Sequence, residues 1–134
     1  MAAVVGDGDV LNAVADYFID HYETRVREGS SVAGKCMFVC LNRPIAFKFY
    51  NILKQKRPEW FELKVAPDGV ELSDQDKKEL IPMPMCQFVA TRSKDDPQDM
   101  YDLLGSDSVR KTAAIQFKNI KSNFKIAIVV DLWL

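Results

Sequence analysis

Apolar positions recur along this chain in two alternating rhythms. From Val10 to Val26, the apolar residues Val10, Leu11, Val14, Ala15, Phe18, Ile19, Tyr22 and Val26 follow a helical spacing, with Asp9 placed to cap the start and Gly29-Ser30-Ser31 to end it. Residues 36–41, Cys-Met-Phe-Val-Cys-Leu, form a continuous apolar run too short for a helix and fit a strand covered on both faces. Asn42 and Pro44 then supply a cap and a first-turn proline for a second helix through Ile45, Phe49, Ile52 and Leu53, which Pro58 stops. Residues 59–84 lack regular spacing and read as a surface insertion, with a capping box from Ser73 to Asp76 predicting a short helix over 74–80. A second apolar strand is predicted at Met85–Thr91. A short helix follows, opened by Asp96-Pro97 and closed by Gly105, and another over Asp107–Asn119 with Val109, Ala113 and Phe117 inside. Phe124–Leu134 holds a third strand, again apolar on both faces.

Strands separated by helices require crossover connections, so the predicted class is α/β: a parallel sheet flanked by helices. The chain has 134 residues, one domain's worth. A core strand that runs into Leu132-Trp133-Leu134 leaves large apolar groups at a chain end, and the expectation is a piece of a longer protein. Without a long apolar run or a basic leader, no membrane span is expected and the cytoplasm is the default compartment.

Net charge is only -1, which excludes a wholesale basic nucleic-acid binder, but the charge is segregated. Residues 1–34 sum to -4, residues 35–57 to +6 with no acid at all, residues 58–105 to -6 and residues 106–134 to +3. Such blocks either form solvated helix faces or leave a local basic face on an acidic molecule.

Most candidate chemistry fails on spacing. Gly6-Asp7-Gly8 imitates the start of a dinucleotide-binding turn, but Leu11 stands at the third glycine position and Asp7 and Asp9 would repel a pyrophosphate. A turn leading into the first helix explains it better. Gly34-Lys35 lacks the rest of a phosphate loop. Cys36 and Cys40 lie about 13 Å apart along a strand, too far to share a metal or a disulfide. The only histidine, His21, has no ligand partner at metal spacing. Buried reduced thiols are expected instead. Asp131 could serve a phospho-receiver site, but the neighbouring strand ends offer no second acid. No nucleophile–base pair stands out, and no catalytic or metal residue is assigned.

What remains are the loops at the C-terminal ends of the strands, where open α/β sheets bind ligands. Leu41-Asn42-Arg43-Pro44 and Thr91-Arg92-Ser93-Lys94 carry amide, hydroxyl and basic groups ahead of helices, a donor set suited to phosphate oxygens.

The run Gly34 to Arg43, the helix ending at Arg57-Pro58-Glu59-Trp60, Phe88 to Ser93, Phe117-Lys118-Asn119 and Lys125 to Leu134 together resemble type I restriction endonuclease motor subunits. The likeness runs through residues 9–134, within the second RecA-like helicase/translocase domain of that family. It departs at Arg92, where the family commonly has glycine, and at 61–84, which does not align. The resemblance implies an N-terminal helix over 1–33 leading into a partial RecA-like domain over 34–134. It implies an ATP-dependent translocase of double-stranded DNA, with ATP and Mg²⁺ used by the parent protein, and methyltransferase and specificity subunits as partners beside the remaining domains of the same chain. By position, Asn42 and Arg43 fall in motif IV, Thr91, Arg92 and Ser93 in the following backbone-contact loop, and Asp131, Leu132, Trp133 and Leu134 at the start of motif V. The Walker residues, the motif VI arginine and the nuclease domain have no counterpart here, so the fragment alone is expected neither to hydrolyse ATP nor to cut DNA. Two alternatives stand beside it: another superfamily-two helicase or translocase, and a stand-alone nucleotide- or small-ligand-binding module built on Gly6-Asp7-Gly8.

Overall fold

A computed structural model describes residues 8–29 and 35–130 of the chain. Helix α1 spans Gly8–Arg27, strand β1 Cys36–Cys40, helix α2 Arg43–Lys56, and a 3₁₀ turn Pro58–Phe61. Helix α3 spans Asp74–Glu79, strand β2 Cys86–Phe88, helix α4 Gln98–Leu104, helix α5 Asp107–Lys118 and strand β3 Ile126–Val130. Among the described residues the three strands make one sheet in the order β1-β3-β2, with both pairings parallel. Cys36 and Cys86 both stand opposite Ile126, so the flanking strands start in step. The predicted α/β class with parallel pairing is what the chain adopts.

The central strand decides the layering. All five residues of β3 are buried. Ile126, Ile128 and Val130 face a core shared with α1, α2 and α4, whereas Ala127 and Val129 face Phe124, Val89 and Ala113 of α5. The first core is aromatic. Phe38 of β1 stacks on Phe49 of α2 at 4.2 Å between ring centres, and Phe18 of α1 meets Phe38 edge-on at 5.2 Å. Trp60 closes the far side against Tyr22 at 5.6 Å.

The capping residues act as their positions predict. Asn42 Oδ1 accepts from the Ile45 N–H at 3.0 Å and starts α2. Ser73 and Asp76 exchange both bonds of a capping box, at 3.1 and 2.9 Å. Gly105, at φ +72°, ends α4 in a conformation that side chains disfavour.

Several expectations change. Asp9 lies within the first turn of α1 instead of capping it, where its charge still suits the positive end of the helix. Val26 is exposed because a helix of 20 residues, about 30 Å long, outruns five-residue strands of about 17 Å. β1 is not covered on both faces: it lies at the sheet edge with Met37 39% and Val39 46% exposed, because the more apolar β3 takes the centre. β2 is shorter than the predicted Met85–Thr91, though the Val89 N–H still reaches Ile128 O at 2.9 Å before the chain turns away. Val109 is exposed and sits close to the Gly105 turn, where a β-carbon would lie 3.0 Å from its Cγ1. The inner face of α5 carries Gln116 instead.

Gln116 belongs to a set of polar ties that fasten residues 59–84 to the body. Its Nε2 donates to Glu79 O at 2.9 Å, and its Oε1 accepts from the Ile81 N–H at 3.3 Å. Asn123 Nδ2 donates to Met83 O at 2.7 Å. Lys64 and Met83 pair as an antiparallel bridge, and Leu80 and Met83 are buried. The stretch lacks a helical or strand rhythm because its order comes from these side-chain-to-backbone bonds.

Phe49 is fully buried, whereas Ile115 is 66% exposed. Phe49→Ala is expected to cost about 3–5 kcal/mol of unfolding free energy and Ile115→Ala less than about 0.5 kcal/mol, read from urea midpoints.

Candidate functional site

The loops after β1 and β2 meet at the C-terminal edge of the sheet, and one ion pair joins them. Arg43, the first residue of α2, donates from Nε to Asp96 Oδ1 at 2.9 Å and from Nη2 to Asp96 Oδ2 at 2.5 Å. The same Nη2 reaches Thr91 O at 2.6 Å. Asp96 in turn accepts the Ser93 N–H on Oδ2 at 2.8 Å, while its own N–H returns to Ser93 O at 3.0 Å. A two-pronged guanidinium–carboxylate pair fixes both distance and plane, so Arg43 sets where residues 91–96 stand relative to α2. The Asp96 side chain is 6% exposed, and the Arg43 guanidinium beside it, helped by the Ser93 N–H, holds its carboxyl below the usual carboxylate range.

The predicted site residues therefore take different roles. Asn42 spends its side-chain oxygen on the cap and is otherwise exposed. Arg43 is committed to Asp96 and Thr91. Thr91 is exposed, and the Ser93 hydroxyl accepts the Asp95 N–H at 3.3 Å. Arg92 donates from Nε to Tyr101 O at 2.8 Å and lies 4.2 Å over the Tyr101 ring. Its terminal nitrogens have no partner among the described residues. Lys94 is exposed beside it. Asp131, Leu132, Trp133 and Leu134 lie outside the described residues, as do Gly6 and Asp7 of the Gly6-Asp7-Gly8 turn.

Sequence reasoning took Asp96 only as the start of a helix. The signal that could have found it is the spacing Ser93-x-x-Asp96 within a loop otherwise rich in cations, a pattern that lets an acid bind back to the loop's own N–H groups.

Ion pairs link the segregated charge blocks to one another. Lys56 pairs with Asp16 at 2.9 Å and Arg57 with Glu23 at 3.1 Å, so the acidic α1 answers the far end of the basic segment while Asp96 answers its start. Lys121 binds Asp76 at 2.6 Å, joining the other two blocks, and this pair holds the Asp76 carboxyl down to about 2.

Cys36, Cys40 and Cys86 are free, the latter two buried, and burial pushes the Cys40 thiol up to about 11 and raises the other two. A hollow of about 220 Å³ at the end of β1 is lined by Leu11, Val14, Phe38, Leu41, Ile45 and Phe49. Such a wall gives a phosphate nothing to bind. Among the described residues no group of three or more His, Cys, Asp or Glu could hold a metal ion, and no helix is long and apolar enough to cross a membrane.

Arg43→Ala and Asp96→Ala are expected to show a coupling of about 1–2 kcal/mol in a double-mutant cycle, below the range for fully buried charged pairs because Arg43 is about a quarter exposed. Asp96 titrates lower when folded, so its contribution is complete above the ordinary carboxylate value near about 3.9 and is lost as pH falls through the folded value. Asp96→Asn should remove that part of the acid loss, seen as a flatter dependence of the urea midpoint between pH 5 and 2.

No family model and no solved structure matches the chain. Two curated proteins do. The MjaIXP type I restriction enzyme endonuclease subunit of Methanocaldococcus jannaschii is 26% identical over 126 residues, which is 94% of this chain and 10% of that protein. The HindI type I restriction enzyme endonuclease subunit of Haemophilus influenzae is 24% identical over 131 residues, 98% of this chain and 11% of that protein. The chain thus matches type I restriction enzyme endonuclease subunits along nearly its whole length, and spans about a tenth of theirs.

Proposed function

We propose that the chain forms part of the ATP-driven motor of a type I restriction endonuclease subunit, and that its two sheet-edge loops grip the phosphate backbone of double-stranded DNA. One observation carries the reading: the Arg43–Asp96 pair joins the loops bearing Asn42 and Thr91-Arg92-Ser93-Lys94 at one edge of a parallel sheet. Asn42, Thr91, Arg92 and Lys94 are exposed there. Arg43 acts as a positioning residue, and Arg92 and Lys94 supply the cationic contacts. Phosphate contacts of this kind fix position on a duplex without reading its sequence, which is what a translocating motor requires.

In this reading the chain belongs to the second RecA-like domain, and Asp131 to Leu134 open motif V. The specificity subunit of the complex chooses the DNA, with the methyltransferase subunit as a further partner. In this reading the Walker residues and the motif VI arginine lie elsewhere in the subunit, and ATP hydrolysis falls to those parts. Asp95, Asp99 and Asp102 are exposed near the cationic loop and lower its potential, so the isolated chain binds DNA weakly.

The test is fluorescence anisotropy on short duplexes of unrelated sequence across a salt series. The chain should bind all of them alike, and the Arg92→Ala, Lys94→Ala double variant should weaken all equally and reduce the log–log salt slope by about 2. Sequence-selective loss, or binding indifferent to salt, would contradict the proposal.

A further inference from the structure

Arg92 is held at both ends, and Tyr101 supplies one of the holds. Its backbone follows Thr91, whose carbonyl oxygen accepts from Arg43 Nη2 at 2.6 Å, so the side chain starts where the ion pair puts it. Its guanidinium lies 4.2 Å over the Tyr101 ring, and its Nε donates to Tyr101 O at 2.8 Å. That oxygen is one of the last four carbonyls of α4, which a helix leaves without intrahelical partners and beside which a positive charge is favoured. α4 is itself fixed by Met100 and Leu104, both buried in the core shared with α1 and α2. Ring and carbonyl thus come from one residue on an anchored helix, although the arginine they hold is exposed.

These contacts leave a defined part of the guanidinium open. The ring covers one face and the carbonyl takes Nε, so the remaining edge is the two terminal nitrogens, which have no partner among the described residues. The neighbouring acids bond within their own helix: Asp99 Oδ1 accepts the Met100 N–H at 2.9 Å, and Asp102 Oδ1 accepts from Gln98 Nε2 at 2.8 Å. A planar fork with both terminal nitrogens open matches two oxygens of one phosphate, and the ring fixes the plane of that match. An ordinary exposed arginine loses rotamer freedom when it clamps a phosphate, and the loss subtracts from affinity. Arg92 has given up much of that freedom before a ligand arrives. Lys94, two residues on, makes no hydrogen bond or ion pair among the described residues and serves as the contrast.

We infer that Tyr101 is a positioning residue for Arg92: its ring presents the guanidinium, terminal nitrogens outward, to one phosphate of the DNA backbone. This rests on the proposed grip of the sheet-edge loops on DNA and adds to it a residue that lies outside both loops.

The test is a double-mutant cycle on the 134-residue chain, read by fluorescence anisotropy on a short duplex across a salt series. Arg92→Ala should lower the log–log salt slope by about 1. Tyr101→Leu should weaken binding about 3- to 10-fold with the slope unchanged, because the charge stays while its orientation is lost. In the Arg92→Ala background Tyr101→Leu should change affinity by less than about twofold, and in the Lys94→Ala background it should keep its full effect. Tyr101→Phe, which retains the ring, should bind as the unaltered chain does. NMR of the free chain supplies a readout that a purely structural role would not move. The ring should shift the Arg92 side-chain protons upfield, and Tyr101→Leu should abolish that shift while leaving the core signals in place. A Tyr101→Leu loss that persists without Arg92 would mean that the ring acts by another route, and would overturn the inference. Unchanged affinity in Tyr101→Leu, with Arg92→Ala still weakening binding, would overturn it and leave the DNA reading standing. Duplex binding that neither Arg92→Ala nor Lys94→Ala weakens would overturn both.

Discussion

The structure depends on the need to bury β3 from both sides. Five consecutive apolar residues, Ile126–Val130, cannot show either face to water, so the strand demands a layer above, a layer below and a neighbour at each edge. α1 and α2 supply one layer and α5 the other, while β1 and β2 supply the edges in matched register. The positions of the loops follow from this. Parallel strands in register end at the same side of the sheet, so the segments after β1 and β2 emerge together, with β3 between them.

Once those loops are adjacent, electrostatics fixes their arrangement. The Arg43–Asp96 pair is a charge-assisted, two-pronged contact between residues 53 positions apart, and the Ser93 N–H completes the carboxylate's bonding. The same logic runs through the molecule, with Lys56 and Arg57 held by α1 and Lys121 by α3. These pairs link blocks of opposite charge that the sequence keeps apart.

Much of the fold was legible in the residues. Helical spacing from Val10 to Tyr22, the Asn42 cap with Pro44, the Ser73–Asp76 capping box and the apolar run at Ile126–Val130 are local signals that the folded chain obeys. Sheet order was not legible, because nothing local to Cys36–Cys40 tells an edge from a centre; the bare Met37 and Val39 follow from β3 taking the middle. Nor were the ties of Gln116 and Asn123, since an amide that serves distant backbone groups leaves no periodic trace. At the candidate site the sequence placed Asn42, Arg43, Thr91, Arg92 and Ser93 near one another. It missed that Asp96 would claim Arg43, because charge pairing over a long separation becomes visible only once the sheet has brought the loops together.

The central claim is that this sheet edge faces the phosphate backbone while Arg43 and Asp96 hold its loops in place. The most direct measurement is the structure of the full restriction subunit engaged on duplex DNA. The account predicts Arg92 and Lys94 within hydrogen-bond reach of phosphate oxygens with the Arg43–Asp96 pair intact. An edge turned away from the duplex, with no phosphate in reach of either residue, would contradict it.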